Sequence, residues 1–296
     1  MRIGRQDVTV TRPDKVLFPD EGITKRDLVN YYRAVAPWIL PQLADRPLTL
    51  ERYPDGIGGH KIIQKSASDY YPDWIRTATV RKHGGTVKHP VCNDEATLAY
   101  LANQACITPH IWLSRSDQPE TPDQMVFDLD PSTDDFEPVR RTAADLHGML
   151  ESWSVPAFLK TSGSRGLHIV VPLKREAGYG PVHALAHAIA RQLVAAAPDE
   201  RTLEFAKKDR AGRVFVDVNR NAYAQTYAAA YAVRARPGAP VSLPVEWNEL
   251  PKRDFRPDGY RMGDVLDLLG GREDPWQDFR RRAVRLASVE RKAKTA

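Results

Sequence analysis

The sequence predicts an α+β fold, a mixed or antiparallel central sheet flanked by helices, and three observations carry that expectation. Strand-like apolar runs at 122–131 and 214–218 bear carboxylates, a strand–turn–strand unit spans 157–172, and amphipathic helical patterns occupy 139–153 and 181–197. A chain of 296 residues can bury a substantial core. With no internal repeat, long linker or low-complexity tract, residues 1–296 are expected to form one compact unit with two lobes. A hydrophobic fraction of 42% excludes a disordered chain, and no window is apolar for long enough to span a bilayer. The start lacks the apolar core of a secretory signal, so the expected location is cytoplasmic. Cys92 and Cys106 lie too far apart for a Cys-x-x-Cys motif and read as packing residues. The net charge of +5 permits a polyanionic partner without demanding one.

From the N-terminus, Thr9–Phe18 reads as strand and turn. Thr24 is a candidate N-cap with Asp27 three residues on, ahead of Leu28, Tyr31, Tyr32 and Val35 at helical spacing. Lys15 and Lys25 flank this helix start, where backbone N–H groups favour phosphate. Residues 47–54 and 61–65 read as two strands joined by a glycine turn that lacks the P-loop pattern. Residues 93–104 form a helix, followed by a short strand holding His110, which reads as a hydrogen-bonded core residue.

In 122–131, side chains alternate, so Asp128 and Asp130 share one face while Phe127 and Leu129 face the core. Two aligned carboxylates without a basic neighbour repel unless a hard divalent cation sits between them, and Pro131 is expected to leave the pair at a sheet edge or mouth. Residues 157–172 follow, and the turn Ser162-Gly163-Ser164-Arg165-Gly166 with His168 combines small residues, hydroxyls and cations as a phosphate cradle would. The plainer reading is a tight hairpin whose serines satisfy their own turn. His183 and His187, four apart, lack a third ligand and read as ordinary helix residues. Asp217 is a carboxylate embedded in an apolar strand, costly unless paired or metal-bound, and so a natural third ligand. Arg234 and Arg236 lie on one side of an extended segment, a helix is expected near 264–269, and 280–294 reads as a basic, solvated helix or tail.

The order Asp128-Leu129-Asp130, Ser162-Gly163-Ser164-Arg165-Gly166-Leu167-His168, Asp217 resembles the polymerase domain of bacterial ligase D, in the archaeo-eukaryotic primase superfamily. Arg12–Pro19, Gly22–Lys25, Val126–Pro131, Lys160–Ser164, Gly212–Asp217 and Asp274–Trp276 resemble further blocks of that family, so the similarity covers nearly the whole chain. The resemblance implies a primase-polymerase catalytic core with an RRM-like half, filling short gaps or extending broken ends in DNA repair by non-homologous end joining, and favouring ribonucleotides. Asp128, Asp130 and Asp217 would be the catalytic ligands of two Mn²⁺ or Mg²⁺ ions. Ser162, Ser164, Arg165 and His168, with Arg234 and Arg52, would bind the incoming NTP or dNTP. Lys15 and Lys25 would take the 5′-phosphate of gapped or broken-ended DNA, and Lys65 and Arg210 would contact the DNA. A DNA ligase and the Ku end-binding protein are the implied partners, with a nucleoid-associated location and no membrane.

Two departures stand out. Ile62-Ile63 replaces an aromatic pair, so template handling at the gap is expected to differ, and Arg165 replaces a lysine. With a methionine start and no ligase or nuclease motif, a stand-alone relative is expected in preference to a domain cut from a larger protein. The alternatives are a primase that starts strands without a primer, which has no need of the 5′-phosphate pocket, and a catalytically silent nucleic-acid-binding module, which the acidic trio disfavours.

Overall fold

The computed structural model describes residues 1–295, and it bears out the α+β expectation. The described chain divides into two units: one holds Met1–Pro119, Thr226–Ser242 and Tyr260–Arg272, the other Glu120–Gln225, Leu243–Gly259 and the residues from Glu273 on.

In the first unit Thr24 caps the helix Lys25–Ala34 through a capping box with Asp27, and Leu28, Tyr31, Tyr32 and Val35 are buried as their spacing predicts. An antiparallel sheet orders Thr226–Ala228, Cys106–Trp112, Leu48–Arg52 and Ile62–Gln64, the last being the hairpin partner expected after the glycine turn. A hairpin between Thr77–Lys82 and Gly85–Pro90 lies beyond the elements the sequence predicts. Its turn is His83-Gly84, with both Gly84 and Gly85 at positive φ.

In the second unit the described strands, in chain order, are β1 (Gln124–Asp130), β2 (Phe158–Thr161), β3 (Leu167–Pro172), β4 (Arg201–Thr202), β5 (Val214–Asp217) and β6 (Pro244–Val245). They form one sheet in the order β4-β5-β1-β3-β2-β6, antiparallel except at β4–β5. β1 is therefore an interior strand. Asp128 and Asp130 do not lie on an edge strand, because β3 and β5 hydrogen-bond to both flanks of β1. Helices Glu137–Ser152 and Tyr179–Ala196 pack against β1, the first burying Val139, Ala143, Leu146 and Leu150 but only half covering Met149. The C-terminal helix Leu286–Thr295 is not merely a solvated face. Leu286, Val289 and Ala293 are buried, and Gln192 of the helix Tyr179–Ala196 donates to the Ala293 carbonyl. Among the described residues no helix is long and apolar enough to cross a membrane.

β5 ends at Asp217 and the chain turns into a 3₁₀ helix, Asn219–Asn221, leaving Val126 of β1 without a strand partner on that side. The fully buried Asn221 substitutes for one. Its Oδ1 accepts from the Val126 N–H at 2.8 Å, and its Nδ2 donates to the Val126 and Val218 carbonyls at 2.7 and 2.8 Å. Asn221→Ala is expected to strand these groups and lower stability by about 2–4 kcal/mol, read as a fall in the urea midpoint. An unchanged midpoint would show that the end of β1 is held some other way.

Candidate active site

Antiparallel register builds the site. Lys160 of β2 pairs with His168 of β3, His168 with Asp128 of β1, and Asp128 with Asp217 of β5. Directly paired residues project to the same face, so these four side chains form one row across four strands. Phe127, Leu129, Ile169 and Val216, which alternate with the row, are buried. Asp130 lies one register step along, paired with Phe215. All four members of the row are themselves buried, Lys160 fully so.

The row is close to an ion chain. His168 Nε2 lies 3.1 Å from Asp128 Oδ1, and Arg220 Nε lies 3.4 Å from Asp128 Oδ2 and 3.6 Å from Asp217 Oδ2. The Asn219 N–H donates to Asp217 Oδ1 at 2.8 Å. Basic neighbours, absent from the sequence reading, thus stand beside the carboxylates. Burial would raise the Asp128 carboxyl, but the charge and hydrogen bond of His168, with Arg220 and Lys160, hold it well below the usual carboxylate range. Asp130 shows the opposite balance: burial, then the charges of Asp128 and Asp217, push it up to about 7. Asp217 is raised by burial against the opposing pull of the Asn219 N–H and Arg220.

An all-oxygen set of three crowded carboxylates suits a hard divalent cation. Among the described residues no group of three or more acid, histidine or cysteine side chains is gathered tightly enough to hold an ion as it stands. Asp128 and Asp217 instead share Arg220, whose guanidinium supplies the positive charge. Ligation by the trio would require Arg220 to give way.

The small-residue turn is partly self-satisfying. The buried Ser162 hydroxyl accepts from the Ser164 and Gly166 N–H groups at 3.2 and 3.1 Å, so those amides are engaged within the turn. Gly166 is required by close approach: a Cβ there would stand 2.1 Å from the Leu129 carbonyl oxygen, between the two acids of β1. Ser164 and the exposed Arg165 line a cavity of about 870 Å³ together with Arg253, Arg256, the acidic Asp134, Asp135 and Glu137, and Arg140, which pairs with Glu137 at 3.0 Å. His168 joins the carboxylate row and does not line that cavity.

In the first unit Lys15, Lys25, Arg12 and Arg52 converge on a cavity of about 500 Å³. Lys25 is buried and donates to the Thr11 carbonyl at 2.7 Å; burial, then the charges of Lys15, Arg12 and Arg52, lower its pKa. Lys15 pairs with Asp55 at 2.6 Å. Arg52, expected at the triphosphate, lines this cavity, its Nε donating to the Gln104 carbonyl at 2.7 Å. Lys65 is exposed. Arg210, expected to contact DNA, is buried, and its guanidinium is bonded to the Glu204 and Phe205 carbonyls, which makes it a brace of its own loop. Arg234 lies near Glu51 and Tyr53, on which its charge acts.

Lys160, Arg220 and Asn221 escaped the sequence reading. A charge inside the apolar strand 158–161 was a signal for Lys160 of the same kind that marked Asp217. Arg220 stands three residues beyond Asp217, one turn on in the 3₁₀ helix.

Residues 24–276 match the family described as LigD, primase-polymerase domain. The multifunctional non-homologous end joining protein LigD of Mycolicibacterium smegmatis is 33% identical over 269 residues, covering 88% of this chain and 34% of that protein. The bifunctional end-joining LigD of Bacillus subtilis is 30% identical, covering 92% of this chain and 44% of its own. The polymerase domain of Mycobacterium tuberculosis ligase D, solved in complex with DNA, superposes with a TM-score of 0.88 at 31% identity, covering 95% of this chain and all of that one. The chain belongs to the LigD primase-polymerase domain family. It spans between about a third and a half of the length of these curated relatives.

Glu51 in the first unit supplies a pH test of this electrostatic reading. Burial would raise its carboxyl, but the hydrogen bond and charge of His110, 2.9 Å away, and the Tyr53 hydroxyl bring it down from 4.5 to about 2. A depressed folded pKa contributes stability above the unfolded value and loses it as pH falls to the folded one. Glu51→Gln should therefore melt below the parent at pH 6, with the gap closing between pH 4.5 and 2. A gap that is constant across that window in calorimetry would contradict the pairing.

Proposed function

We propose that the chain catalyses template-directed nucleotidyl transfer, filling short gaps or extending broken DNA ends during non-homologous end joining. The observation that carries the reading is the Asp128–Asp217 cross-strand pair with Asp130 beside it, in a chain of this family. Both units would serve this one reaction, with ribonucleotides favoured.

Asp128, Asp130 and Asp217 would hold two Mn²⁺ or Mg²⁺ ions. Such ions, when bound, supply activation of a 3′-hydroxyl and neutralisation of the leaving pyrophosphate. His168 and Lys160 keep Asp128 ionised and therefore ready to ligate. Arg220, between Asp128 and Asp217, offsets their charge. Arg165, with Arg253 and Arg256 lining the same cavity, offers guanidinium groups to the triphosphate, while the Ser162 oxygen, accepting from the Ser164 and Gly166 N–H groups, shapes the turn and its O–H would donate to phosphate. Lys15, Lys25, Arg12 and Arg52 form the 5′-phosphate pocket, where burial and then the neighbouring cations lower the pKa of Lys25, a crowding that a phosphate would offset. A DNA ligase and Ku are the proposed partners, in keeping with the end-joining relatives.

Primer extension on a short gapped duplex, with and without the downstream 5′-phosphate, tests the reading. The phosphate should stimulate addition, and absence of addition with any divalent metal or nucleotide overturns the proposal. Asp128→Asn or Asp217→Asn should reduce addition about a thousandfold, equivalent to roughly 4 kcal/mol of transition-state stabilisation. A variant that still extends primers removes the carboxylate assignment. Lys15→Ala combined with Lys25→Ala should abolish stimulation by the phosphate and spare addition on an open template. Equal loss on both substrates would make the lysines general DNA contacts.

A further inference from the structure

Of the four cations that line the cavity of the first unit, Lys15 alone has an acidic partner among the described residues. Its Nζ lies 2.6 Å from Asp55 Oδ1, and Asp55 lines the same cavity. The backbone builds this juxtaposition. Lys15 is held by its N–H, which donates to the Arg12 carbonyl at 3.1 Å, and by its carbonyl, which accepts from the Lys25 N–H at 2.8 Å. Asp55 sits in a turn closed by the Gly56 N–H on the Tyr53 carbonyl at 3.1 Å. The next N–H, of Ile57, donates to the Leu17 carbonyl at 2.8 Å, which ties the turn to the strand Val16–Phe18 that follows Lys15. Gly56 has a φ of 80°, and a Cβ there would stand 3.0 Å from the Leu17 carbonyl oxygen, so the turn lies directly on that strand.

The backbone is fixed, but the carboxylate is not. The Asp55 side chain is 73% exposed against 26% for Lys15, so it can turn into solvent while its turn stays in place. A terminal phosphate carries about −1.5 to −2 charges at neutral pH. On entering the cavity it either takes Lys15 from Asp55 or stands beside a like charge, and in both cases Asp55 weakens its binding. Departure is helped by the same group. A cavity of bare cations would release a dianion only by leaving all of them uncompensated. A carboxylate tethered at the cavity wall recaptures Lys15 instead, as a competitor whose effective concentration does not depend on the solution.

We propose that Asp55 is a built-in counter-anion that limits how tightly this cavity holds a 5′-phosphate and speeds its release. A filled gap leaves a 3′-hydroxyl beside that phosphate, and the reaction that consumes such a product must join the two. Joining needs the phosphate out of a cavity lined by lysines and arginines, so prompt release hands the end on. The inference rests on the reading of this cavity as the 5′-phosphate pocket and assigns Asp55 a role in affinity and release rather than in catalysis.

The test is binding and dissociation of a labelled gapped duplex, with a 5′-phosphate or a 5′-hydroxyl at its downstream end, by fluorescence anisotropy with unlabelled duplex as the chase. Asp55→Asn should bind the phosphorylated duplex roughly threefold to fivefold more tightly than the parent, the change lying in slower dissociation, and should tighten on the hydroxyl duplex far less. Raising the ionic strength should narrow the difference between the two proteins. Asp55→Glu, which returns the charge, should restore the parent affinity and rate. Weaker binding of the phosphorylated duplex by Asp55→Asn would show that Asp55 positions Lys15 for the phosphate, and equal tightening on both duplexes would show a general effect of charge on DNA. Either result overturns the counter-anion, as does an Asp55→Glu protein that behaves like Asp55→Asn. A parent that prefers the phosphorylated duplex, with Asp55→Asn matching it in affinity and rate, overturns the inference alone; a parent with no preference overturns the 5′-phosphate reading with it.

Discussion

Three carboxylates on one face of a buried sheet cannot all remain charged unless positive charge stands among them, and much of the second unit answers that constraint. Lys160 and His168 are delivered to Asp128 by strand register alone, one on each successive strand. Arg220 arrives from the opposite flank, on the 3₁₀ turn that ends β5. The charges are distributed unevenly. Asp128 has cations on two sides and stays ionised, while Asp130 has acids for neighbours and holds its proton more tightly. The asymmetry separates two residues that are identical in type and only two apart in sequence.

The two cavities differ in their balance of charge. The cavity of the first unit gathers lysines and arginines with a single carboxylate, Asp55, against Lys15. The larger cavity of the second unit mixes arginines with Asp134, Asp135, Glu137 and Asp258 in comparable number. The first arrangement carries an excess of positive charge; in the second an arginine already has an acidic partner, as with Arg165 and the exposed Asp134, 3.4 Å apart.

Much of this was legible in the sequence because period and capping are local. The Thr24–Asp27 box, the alternation through Asp128 and Asp130, and the strand–turn–strand around Ser162 all follow from neighbours within a few residues. What escaped depends on pairing between distant strands. Nothing local sets Lys160 against His168 and His168 against Asp128, and nothing local makes β1 an interior strand. Arg210 was misjudged for a related reason. A basic turn reads as surface until the aromatic ring that absorbs its arginine, Phe215, is found packed against it. The C-terminal helix hid its apolar side because Leu286, Val289 and Ala293 are sparse among charges.

The bridging position of Arg220 also bears on how the protein comes to be folded at all. Small metal-dependent domains often remain unstructured until their ion arrives, since nothing else offsets the repulsion of the gathered ligands. Here the offsetting charge is covalently part of the chain, tethered three residues from Asp217 and anchored by the Asn221 clasp on β1. The repulsion of the Asp128–Asp217 pair is therefore met by a neighbour on the same strand end, and the pairing of β1 with β5 carries its own counter-ion.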